Sequence, residues 1–149
     1  MKVIIHGGFF SESHTNSETK KAKQESLLRI VKEAYSYLKL HTALEAVVFA
    51  VSLLEDDSLF NAGIGSQIQS DGEIRMSASL MDGISQKFSG VINIEKVKNP
   101  VQVAQKLLLE EDRVLSGEGA TNYARQIGFE EFSTEIAQRK AEYEAKLAG

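Results

Sequence analysis

The run TALEAVVFAVSLL, Thr42 to Leu54, is the stretch that most narrows what this chain can fold into. Thr42 with Glu45 three residues on forms a capping box, so a helix starts here. Leu44, Val47, Val48, Phe49, Val51, Leu53 and Leu54 then occupy nearly every face of it. A helix that is apolar all round has to be covered on more than one side. The chain must therefore fold in layers, and this is a first hint that it does not hide all its apolar surface alone.

The neighbouring segments supply those layers. KVII is a short β-branched run stopped by Gly7 and Gly8, which reads as a buried strand. From Ser17 to Lys39 the apolar positions Leu27, Leu28, Ile30, Val31, Ala34, Tyr35 and Leu38 recur at helical steps. SQIQSDGEIRMSASLM alternates around Asp71-Gly72, a two-residue hairpin signal, and KFSGVINIEKV is a further strand. Asn99-Pro100 supplies an N-cap and a proline at the first helical position, and Val101, Ala104, Leu107 and Leu108 share one face beyond it. RVLSG reads as a short strand, and GATNYARQIG as a short helix closed by Gly128. The tail, 133–149, carries only a thin stripe of Ile136, Lys140, Tyr143 and Leu147, a marginal surface helix or a mobile, linker-like end. Two successive helices followed by adjacent antiparallel strands favour a layered α+β fold over a doubly wound sheet, as one domain spanning 1–149.

Composition removes several classes of function. With 17 basic and 21 acidic side chains the net charge is −4, giving no reason to propose nucleic acid or an anionic membrane as partner. No cysteine is present, which rules out disulfides, thiolate metal sites and cysteine nucleophiles. MKVIIHGG is too short for a signal-peptide core, and no run is long enough to span a bilayer. A soluble, cytoplasmic setting is the expectation.

A search for a catalytic set fails. His6, His14 and His41 show no metal-ligand spacing, and His6, ending a buried strand, reads as a hydrogen-bonded core residue. GEGA, residues 117–120, lacks the full dinucleotide or phosphate-loop pattern and reads as a glycine-assisted turn. Asp71 and Asp82 belong to turns, while Asp56 and Asp57 close a helix. LEDDSLFNAGIGS is different. Here a helix end with orphan carbonyls runs into a loop where Gly63 and Gly65 permit unusual backbone shapes. Converging carbonyls suit a hard cation, and Asn61 brings amide donors and an acceptor. An ordinary helix stop accounts for the same residues.

Five motifs in order give a resemblance: IIHGG, LFNAGIGS, SASLMDG, VKNPVQVAQKLL and VLSGEGATNYARQIGF. Together they resemble the α subunit of the plant-type asparaginases, or isoaspartyl aminopeptidases, over roughly Lys2 to Phe129. Those are N-terminal-nucleophile hydrolases with a threonine nucleophile. The resemblance implies a four-layer αββα sandwich completed by a separate β chain. It implies self-cleavage after Gly149, leaving a partner whose first residue, threonine, attacks the amide carbonyl of isoaspartyl dipeptides or L-asparagine. It implies an (αβ)₂ assembly, no organic cofactor, and a structural sodium ion held by the backbone carbonyls of Leu54, Glu55, Asp57, Phe60, Ala62 and Ile64. Asn61 would orient the partner's threonine, and Gly7 would lie in a loop linked to self-cleavage. Two positions depart from the family pattern: Phe9-Phe10 replace small residues after His-Gly-Gly, and Ser77 replaces an aspartate. The alternatives are a non-catalytic α/β binding or structural subunit, or a related glycosylasparaginase or threonine protease.

Overall fold

The computed structural model describes residues 1–8 and 17–148. Its elements run α1 (Ser17–Leu38), α2 (Ala43–Glu55), a 3₁₀ turn (Gly63–Gly65), β1 (Met76–Asp82), β2 (Lys87–Ile94), α3 (Pro100–Leu107), β3 (Val114–Ser116), α4 (Gly117–Gln126) and α5 (Ala137–Ala148). The order is α+β, as its residue pattern requires.

The Thr42 capping box forms in full: its hydroxyl accepts from the Glu45 N–H, and the Glu45 carboxylate accepts from the Thr42 N–H at 2.8 Å. Thr42 hydroxyl also donates to that carboxylate, and these bonds hold the Glu45 pKa below its usual value.

The sheet has the order β1-β2-β3, with β1 and β2 antiparallel and β2 and β3 parallel. Parallel strands need a crossover, and α3 supplies it. The β1–β2 hairpin closes through Asp82, whose carboxylate accepts from the Ile84 and Ser85 N–H groups and the Ser85 hydroxyl. These bonds hold its pKa low, the hydroxyl contributing most. Between Met76 and Ala78 the register slips by one residue. Asn93 takes a positive φ of 54° at that bulge, and its N–H is satisfied by the Ser77 hydroxyl at 3.2 Å.

One face of the sheet is covered. Met76, Val91, Ile94, Val97, Val103, Leu107, Ala120 and Ala124 form a core between the strands and helices α3 and α4. A second cluster, Val48, Leu80, Val101, Ala104 and Leu108, joins α2 to α3 and β1. Helix α1 then packs on α2 through Ile30 and Ala34. The other sheet face is bare: Met81, paired across the hairpin with Phe88, stands exposed beside Ile92 and Val114. The all-apolar helix is likewise only partly enclosed, since Val47 is about half exposed.

Two local expectations are corrected. KVII does not form a strand: among the described residues nothing pairs with it, and Ile4 is 92% exposed. A strand needs a ladder partner, and here the segment lies along α2 instead, leaving a cavity of about 260 Å³ lined by Val3, Ile5, Val47 and Val51. His6 is therefore exposed rather than a core residue. At Asp71-Gly72 the turn forms, with Gly72 N–H bonded to the Gln69 carbonyl at 3.0 Å and Gln69 N–H to the Glu73 carbonyl at 2.8 Å. Its N-terminal arm never becomes a strand, because Arg75 binds Asp71 and Gln69 and closes a compact loop.

Gly119, within α4, has nothing within 4 Å of where a Cβ would stand. Gly119→Ala should raise stability by about 0.5–1 kcal/mol, because alanine loses less conformational entropy in a helix. A urea midpoint no higher than that of the wild type would refute this.

Candidate functional site

Two loops far apart in sequence meet in one cleft of about 560 Å³. His6, Gly7 and Gly8 form one wall, Leu59 to Ala62 another, and Lys23 from α1, Leu54 from α2, Gln67 and Arg139 from α5 complete the lining. The first loop turns through Gly8, at φ +93°, with its N–H donating to His6 Nδ1 at 3.2 Å. That bond makes Nδ1 the acceptor of the ring. Gly7 presses on the second loop: a Cβ there would lie 2.9 Å from the Phe60 ring and 3.0 Å from Leu27.

The second loop winds tightly after α2. A Cβ on Gly63 would meet the Glu55 carbonyl oxygen at 2.1 Å, and one on Gly65 would meet the Phe60 carbonyl at 1.9 Å and the Ser58 carbonyl at 2.8 Å. The backbone is thus wound so closely at these two positions that only glycine fits. Of the other carbonyls singled out in the sequence, those of Leu54, Asp57 and Ala62 accept from the N–H groups of Asp57, Phe60 and Gly65 at 3.3, 3.1 and 3.0 Å. Each keeps a second lone pair. Ile64 lies in the 3₁₀ turn, half-buried. Backbone carbonyls are oxygen ligands of the type a hard cation takes, and the set contains no side-chain ligand. Among the described residues no group of three or more His, Asp or Glu is placed to hold a metal.

Asn61 stands exposed at the crown of this loop. Its Oδ1 accepts from the Gln67 N–H at 2.9 Å, which fixes the amide's orientation because a backbone donor needs the oxygen. The Nδ2 group has no partner among the described residues and remains a donor. Lys23 and Arg139 are the basic side chains of the lining, and Arg139 is itself paired with Glu142 at 2.8 Å.

The aspartates flanking the loop are committed elsewhere. Asp57 accepts from the Leu59 N–H at 3.0 Å and from the Ser26 hydroxyl, and Arg29 pairs with it at 3.4 Å, tying the loop to α1. Asp56 binds the Asn99 amide and Lys98, each at 3.0 Å. Asn99 therefore leaves its expected capping role on α3. Glu55 takes it over: its Oε1 accepts from the Val101 N–H at 3.0 Å while Oε2 is buried without a partner. GEGA opens α4 directly, Gly117 turning the chain at φ +53°.

Sequence reasoning missed the side chains of Glu55 and Arg139. A carboxylate in the last turn of an apolar helix opposes the helix dipole, and that mismatch was the available signal for Glu55. Arg139, in a polar tail, offered none. Gly149, Phe9, Phe10 and His14 lie outside the described residues. No described helix is long and apolar enough to cross a membrane.

Comparison with known proteins brings these features together. A family model described as Asparaginase matches residues 1–148. An isoaspartyl peptidase/L-asparaginase of a Nostoc species is 43% identical over 99% of this chain and 49% of its own length. One from a Synechocystis species is 48% identical over 85% of the chain and 38% of its length. A plant-type L-asparaginase of Pyrococcus furiosus is 37% identical over 95% and 46%. The chain spans about half the length, or less, of these relatives.

Proposed function

The chain belongs to the asparaginase family, and on that premise we propose that it is the N-terminal, α half of an amidohydrolase acting on isoaspartyl dipeptides and, more weakly, L-asparagine. The observation that carries this reading is the meeting of the His-Gly-Gly loop and the Asn61 loop in one cleft, whose described lining holds no nucleophile–base pair. The nucleophile comes from a β partner, as a threonine freed by self-cleavage after Gly149. Its hydroxyl forms a bond to the substrate's amide carbon, its proton passing to the threonine's own α-amino group. That group returns the proton to the leaving amine as the C–N bond breaks. Water then cleaves the acyl ester, releasing aspartate and regenerating the hydroxyl.

In this scheme Asn61 Nδ2 positions the threonine hydroxyl, and Gly7 keeps the opposing loop tight against Phe60. A sodium ion, held by the carbonyls of Leu54, Glu55, Asp57, Phe60, Ala62 and Ile64, would offset the repulsion among those oxygens and stiffen the loop. The bare sheet face of Met81, Phe88, Ile92 and Val114 supports packing against a second sheet, the αββα sandwich of the family. A cytoplasmic (αβ)₂ assembly completes the proposal.

Co-expression with the missing C-terminal half should yield hydrolysis of a β-aspartyl dipeptide. Asn61→Ala should lower kcat about a hundredfold with KM little changed, the loss expected for a misplaced reacting group. An inactive complex, or an Asn61→Ala variant with unchanged kcat, would overturn the assignment.

A further inference from the structure

Helix α5 buries none of its own residues, yet it reaches the cleft. Arg139 Nε donates to the Gly65 carbonyl at 2.9 Å, and its Nη1 pairs with Glu142 at 2.8 Å. The guanidinium side chain is only 12% exposed. Tyr143 adds a 3.5 Å contact from its hydroxyl to the Ser70 carbonyl. The strap leading to α5 is fastened more heavily. Arg125 donates to the carbonyls of Phe129, Glu130 and Lys96 at 3.0, 3.0 and 2.6 Å. Phe132 N–H bonds the Lys96 carbonyl at 3.0 Å, and Lys96 pairs with Glu131.

This contrast defines a hinge. The strap is anchored by a guanidinium in a nest of carbonyls, whereas α5 beyond it is held by polar contacts without a packed face. Elements with few buried apolar contacts open locally at low free energy. We propose that α5 is a reversible clasp. Docked through Arg139, it braces the Asn61 loop at Gly65 and shades the cleft; lifted about the Arg125-tied strap, it clears the cleft for the partner half. The identity of that occupant rests on the reading above, but the clasp itself does not.

The absence of native cysteine makes a clean test possible. Ala62→Cys places a single thiol on the cleft lining, and its maleimide labelling rate reports how far the cleft is covered. Adding Arg139→Ala should speed labelling roughly tenfold or more, the effect of losing one charged hydrogen bond. Amide exchange should rise in step over 137–148 and stay unchanged over 117–126. Equal labelling rates with unchanged exchange in α5 would overturn the clasp. Should Arg139→Ala fail to fold, Glu142→Gln leaves Arg139 in place and removes its partner. It should speed labelling about twofold, the effect of one partly exposed ion pair, and an unchanged rate would overturn the proposal. Because labelling and exchange need no turnover, an inactive complex would count against the proposed function and leave the clasp standing.

Discussion

Gly65→Ala should destabilise the protein by about 4 kcal/mol, the upper end for a single substitution. The added methyl would sit 1.9 Å from the Phe60 carbonyl oxygen and 2.8 Å from that of Ser58. Both obstacles are backbone, so no side chain can swing aside. The loop has to open, and opening breaks the Gly65 N–H bond to Ala62 and the Arg139 bond to the Gly65 carbonyl. Gly63→Ala should cost as much for a compound reason: its Cβ meets the Glu55 carbonyl at 2.1 Å, and its φ of +51° is strained for any residue with a side chain. Urea unfolding of both variants beside Gly119→Ala gives the measurement. The loop variants should fall well below the wild type while the helix variant rises. Loop variants with wild-type midpoints would mean that the loop is not wound as closely as described.

The same loop marks where reading the sequence succeeds and where it stops. Local chemistry was legible. The Thr42–Glu45 cap, the Asp82 turn and the glycine requirement of FNAGIG each depend on residues within a few positions of one another. So was the incomplete covering of the helix Thr42 to Leu54, because a period without a polar face is visible in the residues alone. Asn61 was singled out by the motif around it, but its bond to Gln67 was not readable there. The errors arose where a residue's role depends on a distant partner. KVII has the composition of a buried strand, but strand formation is decided by whether a neighbour offers a ladder, and nothing described in this chain does. Asn99 has the right type and place for a cap, yet the Asp56 carboxylate and the Ser52 carbonyl accept from its amide and draw it away. Arg139 reaches Gly65 across 74 positions of sequence, a contact that no periodicity encodes.

Glu55 is the sharpest instance of such a distant role, and it makes stability depend on pH. The side chain is 3% exposed at the C-terminal end of α2, where the helix dipole disfavours negative charge. What holds it is the opposite end of another helix: the Val101 N–H, in the first turn of α3, donates to Oε1 at 3.0 Å. Burial raises its pKa from the ordinary 4.5 to about 7; the Val101 N–H and the nearby Asn99 amide pull it back in part, and the charge of Asp56 adds to the rise. An acid with a raised folded pKa binds its proton more tightly when folded. Its contribution to stability is therefore complete below about pH 4.5 and is lost as the pH rises to about 7. At about 1.4 kcal/mol per pKa unit the loss is about 3 kcal/mol. Glu55→Gln keeps an oxygen for Val101 and removes the ionisation, placing an amide where the unpartnered Oε2 now stands. The stability difference between variant and wild type, followed by urea unfolding from pH 4 to 8, should favour the variant increasingly up to about pH 7 and then level off. Ionisable groups common to both proteins cancel in that difference. Parallel curves would show that Glu55 ionises freely, and that the junction of α2 and α3 is wet rather than closed.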